Sequence, residues 1–155
     1  MQRYKLTIEY DGSQFVGWQR QKNGLGVQEA LEQAILKFCG EIVTVSGAGR
    51  TDAGVHAIAQ VAHFDIAKKT NGDIVRDALN YHLKLSAISV VNAISVSNAF
   101  HSRISAYQRA YIYRIVSRRA PLTLDRGRIW WVPVKLNAEV MNEASQILIG
   151  KHDFS

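Results

Sequence analysis

Along residues 4 to 10 the chain alternates strictly, with Tyr4, Leu6, Ile8 and Tyr10 separated by Lys5, Thr7 and Glu9. A period of two predicts a first strand with one buried face. The alternation stops at Asp11, and the stretch to Gly26 reads as loop, punctuated by Asp11-Gly12 and Asn23-Gly24. Val27, Ala30, Leu31, Ala34, Ile35 and Phe38 then recur at spacings of three and four, one face of a helix ended by Gly40. Glu41 to Gly47 and Ile58 to Ile66 predict a second and a third strand. After Asn71-Gly72-Asp73, the positions of Ile74, Ala78, Leu79 and His82 predict a second helix to about Lys84, and the β-branched run from Ala87 to Ser97 a fourth strand. Strand, helix, strand, strand, helix, strand is the order of a ferredoxin-like split βαβ unit. The expected class is therefore α+β, an antiparallel sheet with both helices on one face and the other face open as a binding cleft.

Beyond that unit, Ile104 to Ser117 predicts a long fifth strand and Ile129 to Val134 a short sixth. Asn137 to Ile149 predicts a third helix, capped by Asn137 and stopped by Gly150. No linker-like, low-complexity or repeated stretch interrupts residues 1 to 155, so a single domain is expected, with 1–98 as the ferredoxin-like unit and 99–155 as its extension. Trp130 and Trp131 point to opposite faces of a short strand, which predicts that one is buried. Trp18, in the loop after the first strand, could wedge RNA or staple its loop to the core, and the staple is the expected role.

Composition narrows the class without naming a chemistry. With 155 residues, 47% of them hydrophobic, a chain of this size buries roughly 70% of its unfolded surface. No apolar run approaches the roughly 20 residues of a membrane-spanning helix, and Met1 to Gly12 lacks the basic-then-apolar pattern of a targeting segment. The lone Cys39 cannot close an internal disulfide and sits at the end of an apolar helical stripe, which suits a reducing cytoplasm. Nineteen Lys and Arg against thirteen Asp and Glu give a net charge of +6. That excess favours a polyanionic partner, nucleic acid foremost, although a basic surface also occurs on domains that bind none.

The stretch "SGAGRTDAGVHAIAQVAHF", Ser46 to Phe64, carries the candidate chemistry. Gly47-Ala48-Gly49 lacks the Lys-Ser or Lys-Thr of a phosphate-binding P-loop and leads into a strand, whereas both nucleotide fingerprints require a helix N-terminus. The five histidines show neither paired spacing nor companion cysteines, so no metal site is expected. No Ser or Cys stands in a recognisable nucleophile context. What remains is one working carboxylate, Asp52, two residues after Arg50. A guanidinium within ion-pair distance would hold the acid ionised, while the same spacing also serves merely to brace a turn. The flanking glycines allow a large ligand to approach the backbone.

"GRTDAGVHA" resembles the signature of the TruA family of tRNA pseudouridine synthases. "YDGSQFVGWQRQ" from Tyr10, "VQEALEQAI" from Val27, "FHSRISAYQRAYIYRI" from Phe100 and "GKHDF" from Gly150 resemble further motifs of that family, in the family's order. The resemblance implies that Asp52 is the catalytic aspartate, Arg50 its partner and Tyr111 the tyrosine that stacks on the target base. It also implies a cytoplasmic homodimer that binds tRNA and modifies uridines 38, 39 and 40 of the anticodon arm, with no cofactor and no metal. Ser102 and Ile104 depart from the Ala and Phe usual in the family, and Lys84 stands where Pro is expected. Family members continue past "KHDF" into a second, similar half, so 99–155 is expected to lead towards a C-terminal half.

Pseudouridine formation breaks the bond from C1′ to N1, turns the base and rejoins it through C5. Three roles are open to Asp52: attack on C1′, attack on C6, or removal of a sugar proton. The target nucleotide must be extruded from its stack, and aromatic stacking offsets part of that by about 1–3 kcal/mol per base. By strand parity Tyr107, Arg109, Tyr111 and Tyr113 share a face of the fifth strand, with Tyr113 expected in the sheet core. Arg20, Lys22, Arg103, Arg109, Arg118 and Arg119 are the candidates for phosphate contact. Two rival readings are a non-catalytic ferredoxin-like RNA-binding module, which lacks the aromatic pattern of the common RNA-recognition motif here, and a small-molecule glycosidase, which needs a second opposed carboxylate.

Overall fold

A computed structural model describes residues 1–153; Phe154, the last residue of the "GKHDF" stretch, lies outside the described residues. The chain forms two compact units, Met1–Ala110 and a second beginning at Tyr111. In the first, β1 (Gln2–Tyr10), α1 (Val27–Cys39), β2 (Ser46–Gly47), β3 (Ala57–Ile66), α2 (Gly72–Leu83) and β4 (Ile88–Val96) follow in the expected sequence. The four strands make one antiparallel sheet in the order β2-β3-β1-β4.

The period-two pattern of β1 decides which face is covered. Tyr4, Leu6, Ile8 and Tyr10 are buried together with Ala62, Phe64 and Ile66 of β3 and Val90 and Ala93 of β4. Val27, Leu31, Ala34 and Ile35 of α1 and Val75, Leu79 and Leu83 of α2 complete the same core, so both helices pack on that side. α1 ends where the Gly40 N–H bonds Leu36 O at 2.8 Å. The Asn71 side chain caps α2 by accepting from Ile74 N at 3.0 Å. Register shifts at Thr7/Ile8 against β4 and at Ile8/Tyr10 against β3 mark local irregularities at the Tyr10 end of β1.

The sheet's second face is not bare. The chain leaving β4 lies over it: Arg3 donates to Asn98 O and Phe100 O at 2.8 and 2.7 Å and pairs with Asp65 through two bonds of 2.8 and 2.7 Å. His63, only 5% exposed, sits beneath Ser102, Phe100 and His101.

Two predicted strands shrink. Of Glu41 to Gly47 only Ser46–Gly47 pairs, because side chains satisfy the backbone there: Val45 N donates to Glu32 Oε1 and Val45 O accepts from Gln28 Nε2. Of Ile104 to Ser117 only β5 (Ile115–Ser117) forms. His101 gathers the preceding stretch into a compact turn, taking the N–H groups of Arg103 and Ile104 on Nδ1 while its backbone bonds Ser105. Tyr113, expected in a sheet core, lies outside β5 and is 88% exposed.

In the second unit β5 pairs in parallel with β6 (Trp130–Val132), and α3 (Ala138–Ser145) continues as a 3-10 turn over Gln146–Leu148. Neither Trp130 nor Trp131 is buried; the Trp131 indole N–H is held by Arg118 O at 2.8 Å. Among the described residues no helix is long and apolar enough to cross a membrane.

Candidate active site

The loop that joins β2 to β3, residues 48–56, stands at the Tyr10 end of the sheet and is anchored along most of its length. Ala48 N donates to Val61 O at 2.8 Å, and Gly49 O accepts from Gln60 Nε2 at 2.7 Å. Thr51 is gripped twice. Its hydroxyl lies 2.8 Å from the Tyr10 hydroxyl, and its carbonyl accepts from Trp18 N at 2.9 Å. Burial pushes the Tyr10 phenol above its ordinary range, against the opposing hydrogen bonds to Thr51 and Gln60, so it remains a neutral partner for Thr51. At the far end, Gly12 N donates to His56 Nδ1 at 3.0 Å.

These supports require close backbone approach. Gly17 has φ +113, and a Cβ there would lie 2.7 Å from Thr51 O; both features demand glycine. Trp18 itself is 2% exposed and tilts against the Tyr10 ring at a centroid distance of 6.3 Å, so it does staple its loop to the core. The loop before α1 is tied to that helix by a polar cluster. Gln28 Oε1 accepts from Gln19 Nε2 and Arg20 N, and the largely buried Glu32 carboxylate accepts from Arg20, Gln28 and Val45 N.

Asp52 follows the doubly held Thr51 and is exposed. Its carbonyl accepts from Val55 N at 3.2 Å, closing the turn. Among the described residues, no hydrogen bond or ion pair engages its carboxylate. Arg50 is exposed on the other side of Thr51, and its guanidinium is likewise without a partner among the described residues. The ion pair expected from their spacing is not formed. Water solvates both groups, and a surface pair gains only about 0–1 kcal/mol. The result is a carboxylate and a guanidinium presented separately to solvent from one rigid arm. Such a carboxylate is able to act as a nucleophile, a base or a stabiliser of positive charge on a ligand arriving from outside.

The other expected residues divide by what holds them. Arg20 is paired with Glu32, Arg109 bonds the carbonyls of Ala48 and Arg103, and Arg118 folds onto Ala120 O and Pro121 O. The side chains of Lys22, Arg103 and Arg119 are exposed and make no hydrogen bond or ion pair among the described residues. Tyr111 is 69% exposed and belongs to the second unit. Sequence reasoning missed the roles of Tyr10, Gln28 and Glu32. The signal for the last two was a polar pair at spacing four on the apolar side of α1. Among the described residues no group of three or more His, Cys, Asp or Glu side chains is placed to hold a metal ion.

A family profile described as tRNA pseudouridine synthase matches residues 6–103. Proteins named tRNA pseudouridine synthase A are similar over the whole 155-residue chain: that of Maricaulis maris is 59% identical, with 62% of its own length covered. The proteins of Paramagnetospirillum magneticum and Beijerinckia indica are 58% and 57% identical, each with 60% of its length covered. The chain thus spans about three fifths of the relatives it matches.

Proposed function

This chain belongs to the tRNA pseudouridine synthase family, and from that premise we propose that it carries the catalytic unit of an enzyme that isomerises uridine to pseudouridine in the anticodon arm of tRNA, at positions 38, 39 and 40. The observation that carries the reading is Asp52: a solvent-facing carboxylate without a partner among the described residues, following Thr51, which Tyr10 and Trp18 hold from below. The strand order β2-β3-β1-β4 with both helices behind the sheet supports a ferredoxin-like unit as the platform.

The chemistry needs little beyond such a group. The C1′–N1 bond breaks, the uracil turns, C5 bonds C1′, the C5 proton goes to water and N1 gains one. Nothing is oxidised or reduced, so no redox cofactor is called for. The Asp52 carboxylate stabilises or traps positive charge that develops at C1′ as the base departs. Tyr111 stacks on the extruded base, and Arg50, whose guanidinium has no partner among the described residues, is available to the nucleotide. Lys22, Arg103 and Arg119 contact phosphates, with the half-exposed Arg20 assisting. The family resemblance supports a homodimer that works in the cytoplasm.

The test uses the product of the complete reading frame with tRNA carrying 5-tritiated uridine. Tritium release, with pseudouridine mapped to positions 38–40, is the expected result. Tight, salt-sensitive tRNA binding without any release overturns the enzyme and favours a non-catalytic RNA-binding module.

A further inference from the structure

Arg109 is exposed, basic and stands two residues from each of Tyr107 and Tyr111, the profile of a phosphate contact, yet its guanidinium is turned onto the protein. Nε and Nη2 reach Ala48 O at 3.2 and 3.0 Å, and Nη2 also reaches Arg103 O at 3.1 Å. Ala48 lies four residues before Asp52, on the arm that leaves β2. That arm belongs to the edge strand of the sheet, which is only two residues long and so supplies few ladder bonds of its own. Side chains make up the difference. Ser46 O accepts from Ser102 Oγ at 2.7 Å, Ala48 O from Arg109, and Gly49 O from Gln60 Nε2 at 2.7 Å. Two of these three donors come from the 102–109 stretch, whose own start is fixed by the His63–Ser102 contact at 2.9 Å.

The geometry points to Arg109 as a positioning residue for Asp52, a clamp that binds the catalytic loop to the 102–109 stretch rather than a ligand for RNA phosphate. This rests on the reading of Asp52 given above. A charged fork on a carbonyl is among the stronger hydrogen bonds available at a surface, and Thr51 holds the loop only next to the carboxylate. Without Arg109 the Ala48–Arg50 arm keeps its bonds to Val61 and Gln60 but loses the link to Arg103. A displacement of about 1 Å at a reacting group is enough to slow turnover by up to about 100-fold.

The two roles separate experimentally in the full-length protein. A clamp predicts that Arg109→Ala lowers kcat by roughly 10- to 100-fold, with the tRNA Kd and the slope of log Kd against log salt as in the parent. It also predicts that Arg109→Lys does not restore kcat, because an ammonium lacks the planar fork. A phosphate ligand predicts the reverse, a salt slope reduced by about one and largely restored by Lys. Parental kcat in Arg109→Ala, or a loss accompanied by weaker and less salt-dependent binding, overturns the clamp. The Lys variant, which keeps charge and length, tests the same point if the Ala variant melts early. Failure here is distinct from failure of the functional reading. An inactive Asp52→Asn beside a fully active Arg109→Ala refutes only the clamp, whereas a fully active Asp52→Asn refutes the reading beneath it.

Discussion

Replacing Gly47 with alanine tests whether Trp18 is the fixed wall on which the catalytic loop rests. A Cβ at Gly47 would lie 2.6 Å from both Cε2 and Cζ2 of Trp18 and 2.9 Å from Nε1. Ordinary carbon contacts fall at about 3.5–4.0 Å, so the overlap approaches 1 Å. The indole is enclosed and tilts against Tyr10, which leaves it little room to retreat. Overpacking of this kind costs about 1–3 kcal/mol. The reduced freedom of the unfolded chain offsets about 0.4–1 kcal/mol of that. The net expectation is a loss of about 1–2 kcal/mol, read as a lower urea midpoint at constant m-value and a melting temperature lower by about 2–8 °C. In a Trp18→Leu background the obstructing ring is gone, and the same substitution should become neutral or slightly stabilising, a coupling of about 1–3 kcal/mol. An unchanged urea midpoint in Gly47→Ala, or an equal loss in both backgrounds, refutes the wall. Because Trp18 N holds Thr51 O, the same variant should also turn over more slowly.

Glu32→Ala removes the acceptor of the buried Val45 N–H and frees Arg20; urea unfolding should show a loss of about 1–3 kcal/mol. Glu32→Gln, which keeps an acceptor for Val45, should lose less, and equal losses would contradict the assignment. His63 predicts a pH dependence. Burial chiefly, then the positive charges of Arg3 and His101, push its imidazole below its ordinary value, with Asp65 opposing. The unfolded chain therefore takes up this proton first, so the contribution is intact above about pH 6.5 and is lost progressively as pH falls below that. His63→Gln should flatten that slope. The Asp65 carboxylate is held low by Arg3, so its own contribution is lost only below about pH 4 and does not blur the window.

What was legible in the sequence follows where the backbone bonds go. β1, α1, α2 and β4 follow their apolar periodicity because ladder or helix bonds satisfy them, and the Trp18 staple follows from one large ring in a short loop. Residues 41–45 and 104–114 carry strand-like composition, yet at Val45 and at Ile104 the side chains of Glu32, Gln28 and His101 take up backbone groups that a ladder would have needed. No periodicity reports such side-chain competition. The burial of His63 depends on strand register and on where the chain crosses after β4, and neither is local. Asp52 stood out through its glycine-flanked loop. Its pairing with Arg50 did not follow from spacing, since two solvated groups gain too little from each other to fix their rotamers.

The catalytic role of Asp52 is tested most directly by the turnover of Asp52→Asn in the full-length protein, measured as tritium released from 5-tritiated uridine in tRNA alongside tRNA affinity. Because the side chain is exposed and bears no structural bond among the described residues, the variant should fold and bind tRNA as the parent does, with tritium release reduced to background. Release at the parental rate from a folded, tRNA-binding Asp52→Asn would contradict it.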